Sequence, residues 1–409
     1  INIEEIAEFT LGTDDELISI ASPEIKAGET GIHNNNGTFN FYDGIITAKI
    51  TNDGSTTVEG EKVETGITDT PRLYDPTTRQ TEGEEGKYTT YLAKVSGIEA
   101  VIGKTRYTKL EYAIEAANDL KGTPETQVRI DIVKDINKDA SIEINNTKNI
   151  ILNLNGCTLT NSVADYVIKN EGKLEITDIS ETQKGTIKSS TAGVINNAES
   201  AELKLTNGNI ELTKSGTSSN YVYAINNMGK FEGAGGNVST TAAYTIAFRN
   251  IGIEECNITG GNYTCSGRPS RTIQNNTEST VTIENTTISN TQYDTYSINN
   301  ISSGNIVLKD CIVSGMNQII HNANTGNINI TAGSIKQTYN YSTAVCNEGK
   351  GEITVDGTDI QAYTGFNINS AGTLNIKNIN FTASSLNQSV NITSGGTVNI
   401  ENSTMNYYI

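Results

Sequence analysis

Tyrosine is the residue type whose number and spacing in this sequence best suit a binding surface. The chain has 18 Tyr, against 7 Phe and no Trp. Many of these tyrosines lie four to seven residues before the Asn of a recurring tripeptide. An aromatic ring with a polar tip can stack on a sugar ring and hydrogen-bond its hydroxyls. The alternative is that the tyrosines cover a turn and stack on one another. Six are candidate ligand-binding residues: Tyr221, Tyr223, Tyr244, Tyr296, Tyr341 and Tyr363.

The acidic residues and the two histidines form no recognisable catalytic signature. Inverting glycoside hydrolysis needs two carboxylates about 6.5–9.5 Å apart, and the pair Asp14-Asp15 lacks the GHG and RIK motifs that accompany such a pair in polygalacturonases. His33 and His321 are each predicted to occupy a corner between strands. We therefore expect no catalytic residue. A polysaccharide lyase or glycoside hydrolase, acting on an oligosaccharide beside one sheet, remains the alternative to a binding or structural role.

No metal site and no cofactor are predicted. The five Cys are an odd number without a CxxC pair, which argues against a zinc site and against a disulfide framework. We expect mostly buried thiols, with their disulfide state left open. Calcium stays open as a ligand, because Asp356 and Asp359 share a turn and Glu254-Glu255 lie in another, but no calcium-binding nonapeptide is present.

Charge and hydropathy exclude two classes of partner. The formal net charge of −18 argues against a nucleic-acid binder, whose affinity comes from phosphate neutralisation by Lys and Arg. No run approaches the ~20 apolar residues of a membrane span, so membrane insertion is not expected. The mean hydropathy of −0.37 and 35% hydrophobic residues argue against a conventional round core, because ordinary globular domains are about 45–50% apolar.

An internal repeat of about 25 residues organises the chain. It begins at Ile144-Asn145-Asn146, continues through units such as Phe248-Arg249-Asn250 and Ile320-His321-Asn322, and closes with Ser370 and Ser394 in place of Asn. Successive units are 22 to 30 residues apart. Stacked amides can form a hydrogen-bonded ladder along such an array. The predicted ladder contains Asn146, Asn170, Asn197, Asn227, Asn250, Asn275, Asn300, Asn322 and Asn347.

Each unit also contains an alternating apolar pair, such as Val281/Ile283, and one later apolar residue, such as Ile288. Alternation with period two predicts strands. Three short strands per unit leave no room for a crossover helix. The sequence therefore predicts an all-β, single-stranded parallel β-helix of three parallel sheets. The sequence lacks the motif of a leucine-rich repeat. Ankyrin and tetratricopeptide arrays are excluded because their units are helical.

Four segments are predicted along the chain. Residues 1–50 look like two further coils, because Ile18/Ile20 with Ile25 repeats 21 residues later as Phe39/Phe41 with Ile46. Residues 51–98 read as an irregular and partly β excursion. Residues 99–122 hold one capping α-helix near 107–121, with Thr108 and Glu111 as a capping box. Residues 123–409 form the main β-helix. Asn275 of the ladder is expected to be important for stability, whereas Asn299, which precedes a ladder residue, is expected to be exposed and tolerant of substitution.

Three stretches carry a resemblance to a known family. Residues 100–117, AVIGKTRYTKLEYAIEAA, look like the leading segment of pectate-lyase-like right-handed β-helix regions in Gram-positive bacterial surface proteins. Residues 150–156, IILNLNG, resemble the first core strand that follows it, and residues 39–46, FNFYDGII, resemble a coil common in those proteins. The resemblance covers roughly residues 31–409.

The resemblance implies a right-handed coil and a protein that is secreted or attached to the surface of a Gram-positive bacterium. The length, solubility and repetitive face of the chain favour an adhesin or structural stalk, with carbohydrate recognition along the tyrosine-lined edge. Its partner would be an extracellular glycan or a host or cell-surface component. Because the sequence shows no cap after its last repeat, we expect either a natural chain that continues beyond residue 409 or an end shielded in an oligomer. Monomeric and end-to-end associated forms both stay open.

Overall fold

The computed structural model describes most of the repeat region and scattered strands before it. The described residues are 1–4, 7–11, 24–28, 30–34, 38–41, 45–48, 50–54, 88–91, 98–103, 105–107, 109–119, 126–182, 184–339, 342–382 and 389–406. They divide into two compact units, Ile1–Lys134 and Asp135–Ile409. In the described part, no helix is long and apolar enough to cross a membrane.

The described residues of the first unit form short strands and one helix. Their bounds are β1 Asn2–Ile3, β2 Glu8–Leu11, β3 Glu24–Lys26, β4 Thr30–Asn34, β5 Thr38–Phe41, β6 Ile45–Ala48, β7 Ile50–Gly54, β8 Tyr88–Tyr91, β9 Ala100–Ile102, β10 Thr105–Tyr107, α1 Leu110–Asp119 and β11 Val128–Ile132. Parallel pairing joins β1, β4 and β7, then β2 and β5, then β3 and β6. Strand β8 is antiparallel to β6.

The register of these early strands agrees only in part with the predicted coils. Ile25 lies opposite Ile46, as the spacing of 21 residues predicts. Phe39, however, lies opposite Phe9, and Phe41 opposite Leu11. The partners inferred from the sequence, Ile18/Ile20, fall outside the described residues, and so does most of the predicted excursion.

The predicted helix is present but shorter than expected, because it begins at Leu110 and Tyr107 belongs to β10. Its apolar stripe is buried, including Leu110, Ala113 and Ala117. The Leu110 amide donates to Oε2 of Glu99 at 2.9 Å, so a carboxylate satisfies a free amide of the first turn. Thr108, the predicted cap, lies outside the described residues.

The second unit is a parallel β-helix of about 11 turns in which each coil contributes one strand to each of three sheets. Sheet A takes the Asn tripeptides: β13 Ile142–Ile144, β16 Ile168–Asn170, β19 Ile195–Asn197, β22 Val222–Asn227, β25 Thr245–Asn250, β28 Ser270–Asn275, β31 Tyr296–Asn300, β34 Gln318–Asn322, β37 Thr343–Asn347, β40 Thr364–Ile368 and β43 Val390–Ile392.

Sheet B takes the alternating pairs: β14 Asn149–Asn153, β17 Lys173–Thr177, β20 Glu202–Leu205, β23 Lys230–Gly233, β26 Cys256–Ile258, β29 Val281–Glu284, β32 Ile306–Lys309, β35 Ile328–Thr331, β38 Glu352–Asp356, β41 Thr373–Lys377 and β44 Thr397–Glu401. Sheet C takes the third apolar patch: β12 Ile136–Lys138, β15 Thr158–Asn161, β18 Thr186–Ser189, β21 Asn209–Leu212, β24 Asn237–Thr240, β27 Asn262–Cys265, β30 Thr287–Asn290, β33 Ile312–Gly315, β36 Ser334–Gln337, β39 Asp359–Gln361, β42 Asn380–Thr382 and β45 Thr404–Asn406.

The core is a column of apolar residues with one polar row inside it. Ile298, Ile283 and Ile288, one from each sheet, are fully buried. Four of the five thiols are also buried, Cys157 is half-buried, and all five are free. The all-β parallel β-helix with about 25 residues per coil and one short helix is therefore confirmed.

The polar row is the predicted asparagine ladder, which runs through seven consecutive links. Each side-chain Nδ2 donates to Oδ1 of the next coil, at distances from 2.7 Å at Asn170–Asn197 to 3.5 Å at Asn250–Asn275. The second Nδ2 hydrogen is taken by a backbone carbonyl, for example Gly326 O at 2.9 Å from Asn322. The buried amides are thereby satisfied without solvent.

The ladder ends earlier than the repeat predicts. At its start Ile144, not Asn146, lies opposite Asn170, and Asn146 is exposed. At its far end Ile368 lies opposite Asn347, so the proposed Ser370 step is also wrong. The register shifts by two residues at both ends because apolar residues fill the ladder position there.

Candidate functional site on the outer face of sheet A

Two rows of side chains run along sheet A beside the ladder, and each contains both buried and partly exposed members. The first row lies four residues before each ladder position and contains Tyr166, Gly193, Tyr223, Ile246, Arg271, Tyr296, Gln318, Thr343 and Thr364. The second lies one residue before it and contains Lys169, Asn196, Asn226, Arg249, Gln274, Asn299, His321, Cys346 and Asn367. Neighbouring coils are about 4.8 Å apart, so side chains in one row are in reach of each other.

Flat side chains stack along the axis in the first part of this face. The Arg249 guanidinium lies 4.7 Å from the centroid of the Tyr223 ring. Tyr166 occupies the space above Gly193, where an added Cβ would lie 2.2 Å from the Tyr166 ring. Burial, reinforced by the nearby Tyr223, raises the pKa of Tyr166 to about 12, so this phenol keeps its proton.

A second stack follows on the next coils. The Arg271 guanidinium lies between two rings, 5.2 Å from the Tyr221 centroid and 4.6 Å from that of Tyr296. The other side of Tyr296 carries the His321 imidazole, with centroids 4.5 Å apart and planes 14° from parallel. Tyr244 meets Tyr221 edge to face at 5.8 Å. We call these side chains the stacked row: Tyr166, Tyr221, Tyr223, Tyr244, Arg249, Arg271, Tyr296 and His321.

The stacking decides which part of each ring a ligand can reach. Both faces of Tyr296 are covered, by Arg271 and by His321, and one face of Tyr223 is covered by Arg249. Tyr221, Tyr223, Tyr244 and Tyr296 are all half-buried, so a ligand can reach only part of each ring. The row therefore offers hydroxyls and guanidinium N–H groups, and at Tyr296 it does not offer a flat platform for a sugar.

His321 ends the stacked row. It lies within β34, and His33 lies within β4, so the prediction that each occupies a corner between strands is wrong. His321 Nδ1 lies 2.8 Å from Asn299 Oδ1 and its Nε2 lies 3.1 Å from Glu348 Oε2. Burial lowers the pKa of His321, although the Glu348 carboxylate acts in the opposite direction. Because both ring nitrogens are engaged and the ring is buried, His321 is not placed to exchange a proton with a ligand.

Asn299 is buried, contrary to the prediction that it is exposed. Its Nδ2 donates to Gln274 Oε1 at 2.9 Å, and its Oδ1 lies beside the His321 ring. Gln274 in turn donates to Asn276 Oδ1 at 2.6 Å. A short second amide row therefore lies outside the main ladder, and the His321 ring contacts it at Asn299.

Four of the six candidate tyrosines come together, namely Tyr221, Tyr223, Tyr244 and Tyr296. Tyr341 lies outside the described residues. Tyr363 is half-buried before β40, three coils beyond Tyr296.

The sequence analysis did not assign a role to Arg249, Arg271 or Glu348. The tripeptides Phe248-Arg249-Asn250 and Ile320-His321-Asn322 place a cation and an imidazole in the outward position. Alignment of the middle residues was therefore the signal that could have found the stacked row.

Other parts of the surface offer less. A shallow polar depression lined by residues of β12, β15 and β18 includes Lys188, but that ammonium is paired with Glu211 at 3.2 Å. Over the ranges that the structure describes, no three His, Cys, Asp or Glu side chains group in a way that could hold a metal ion. Among the described residues of this unit, the stacked row is the densest cluster of aromatic and cationic side chains.

The fold and this face define a parallel β-helix protein with an aromatic and arginine-rich strip on one sheet. Comparison with known proteins finds no matching family model, no matching curated protein and no matching solved structure. The class of the chain therefore rests on its own geometry.

Proposed function

We propose that this chain is a secreted or cell-surface β-helix protein that binds an extended glycan along the stacked row, as an adhesin or structural stalk. The observation that carries the proposal is the continuous placement of Tyr223, Arg249, Arg271 and Tyr296 on successive coils. A linear ligand that follows the axis would meet a similar group at each coil.

The chemistry of the strip supports a carbohydrate ligand. Tyrosine hydroxyls both donate and accept hydrogen bonds, and guanidinium groups donate up to five. Sugars present many hydroxyls along a chain, so affinity would be distributed over many weak contacts. The rings are held by their neighbours before any ligand arrives, which reduces the entropy lost on binding. The proposed surface setting is supported by the resemblance of residues 100–117 and 150–156 to segments of Gram-positive bacterial surface proteins.

The geometry favours binding over catalysis at this face. A lyase needs a group that can take a proton, and a hydrolase needs two converging carboxylates. His321 has both nitrogens occupied, and burial raises the pKa of Tyr296 despite the nearby Arg271. Glu348 is the carboxylate that contacts the row, and it is bonded to His321.

Glycan-array retention of purified variants tests the proposal. Tyr223→Ala or Tyr296→Ala should each weaken retention by about 0.5–1.5 kcal/mol, and a triple variant with Tyr221→Ala should abolish it. Tyr296→Phe keeps the stack but removes one hydroxyl, so it separates hydrogen bonding from packing. Tyr112→Ala, a half-buried tyrosine on α1, is the matched control. Retention that survives the triple change in a folded protein would overturn the proposal.

A further inference from the structure

The two arginines of the stacked row are unlike the paired cations elsewhere on the β-helix. On the outer face of sheet B, lysines pair with the acid one coil away: Lys173–Glu202 at 2.8 Å, Lys204–Glu232 at 2.9 Å and Lys230–Glu255 at 3.1 Å. Among the described residues, Arg249 and Arg271 have no carboxylate within ion-pair distance. Their neighbours are tyrosine rings.

Most of the hydrogen-bonding capacity of these guanidinium groups is unused by the described protein. Each group carries five N–H donors. Arg249 donates one hydrogen bond to Asn226 Oδ1 at 3.5 Å, and Arg271 donates one to the Ser270 carbonyl at 3.2 Å. Stacking on the rings fixes the plane of each fork, so the remaining donors point in set directions. A planar fork held in this way suits the two oxygens of a carboxylate or sulfate.

We propose that the glycan bound by the stacked row is anionic, and that Arg249 and Arg271 bind its carboxylate or sulfate groups. This inference rests on the proposed function. A total charge of −18 by itself would favour a neutral glycan, because like charges repel. Total charge acts over long distances and is screened beyond about 8–10 Å at ordinary salt, whereas an arginine fork acts in direct contact.

The surrounding charges place the anion site on one part of the row. Glu348 is exposed at the His321 end and would repel an anion there. The Arg268 guanidinium is neutralised by Asp294 at 2.6 Å and lies over the Tyr293 ring. The segment between Arg249 and Arg271 is therefore the part of the face with unpaired positive charge.

The test uses a glycan array with matched neutral and anionic chains. The probes are cellohexaose, the hexaglucuronate obtained by oxidising its primary alcohols and its sulfated form, together with equivalent sets of other linkages. We expect anionic members to be retained at least about tenfold more tightly than their neutral partners. Tenfold corresponds to about 1.4 kcal/mol, which a single charge-assisted hydrogen bond can supply. The carboxylated and sulfated arms distinguish the two sources of negative charge.

Four variants at three arginines test the role of charge. Arg249→Gln and Arg271→Gln should each remove most of the preference for anionic members. Arg268→Gln changes the net charge by the same amount but removes an arginine already paired with Asp294, so it should retain the preference. Arg249→Lys keeps the charge without the fork and should recover it only in part. Circular dichroism confirms the fold of each variant, and Arg249→Gln remains informative if Arg271→Gln does not fold.

The outcomes separate this inference from the proposed function. Equal retention of neutral and anionic partners, or loss of the preference in Arg268→Gln as well, would overturn the anionic ligand and leave glycan binding intact. Retention of no array member by the wild-type protein would overturn both. Anion preference that depends on Arg249 and Arg271, and not on Arg268, would support the inference.

Discussion

Removing one amide from the middle of the asparagine ladder should destabilise the β-helix in proportion to the bonds lost. Asn227 makes the shortest set of these bonds. It accepts from Asn197 Nδ2 at 2.7 Å and donates to Asn250 Oδ1 at 2.7 Å and to the Gly229 carbonyl at 2.8 Å. Asn227→Ala removes all three and leaves buried polar groups on both neighbouring coils without a partner.

The expected cost follows from these three bonds. Each contributes a net ~0.5–1.5 kcal/mol, which places the loss at about 2–4 kcal/mol. Asn275→Ala should cost less, about 1–3 kcal/mol, because its bonds to neighbouring ladder amides are longer, at 3.5 and 3.2 Å. The matched control is Asn329→Ala on β35, where the side chain is exposed. A surface change of this kind should stay within about 0.5 kcal/mol.

Urea denaturation followed by far-ultraviolet circular dichroism measures these differences, since the chain has no Trp. A lower midpoint at unchanged slope would report a loss of stability without a change in exposed surface. The expected order of loss is Asn227→Ala, then Asn275→Ala, then Asn329→Ala. Equal losses at Asn227 and Asn329 would refute the argument that the ladder bonds stabilise the coil.

Three further predictions concern buried groups near turns and in the stacked row. Burial would raise the pKa of Asp178, but hydrogen bonds from Ser180 and backbone amides lower it overall. The ionised form therefore stabilises the fold above about pH 3.9, and the stability gap between wild type and Asp178→Asn should close as pH falls through the lowered pKa. Gly193→Ala should cost about 1–3 kcal/mol in urea denaturation by displacing Tyr166, and adding Tyr166→Ala should recover part of that loss. The His321 imidazole should titrate below about 6.5 by NMR, so its contribution to stability is present above that pH and lost on acidification. Glu348→Gln should lower this pKa further, and a rise would contradict the assignment.

The repeat was predictable because each coil of a β-helix requires similar residue types at equivalent positions. Strands such as β29, with Val281 and Ile283 inward, alternate with period two, and each coil must place the same residue type above its neighbour. Asn at the ladder position is recognisable for the same reason, since only a partner of like geometry satisfies a buried amide. The interior of the array could therefore be inferred without coordinates.

The ends of the ladder were not predictable from the same pattern. Ile144 and Ile368 occupy the ladder position at the two ends, while Asn146 is exposed. A tripeptide that resembles the repeat can be shifted by two residues without changing which side chains point inward, because the strand period is two. Hydrogen bonding between coils, which is a tertiary property, selects the register.

By itself, the sequence determined the all-β class, the coil length, the parallel stacking of three sheets and the existence of a tyrosine-rich edge. Only the tertiary structure decided which side chains of that edge contact each other and which groups remain accessible to a ligand. Arg271 and Tyr296 belong to successive coils 25 residues apart, and their stacking depends on the register and on the half-buried turn that precedes each strand. Asn299 is likewise buried, between Gln274 and His321 of the two neighbouring coils. The sequence period predicts which residues point outward. It does not predict which of them contact each other, because those contacts depend on how side chains pack between neighbouring coils.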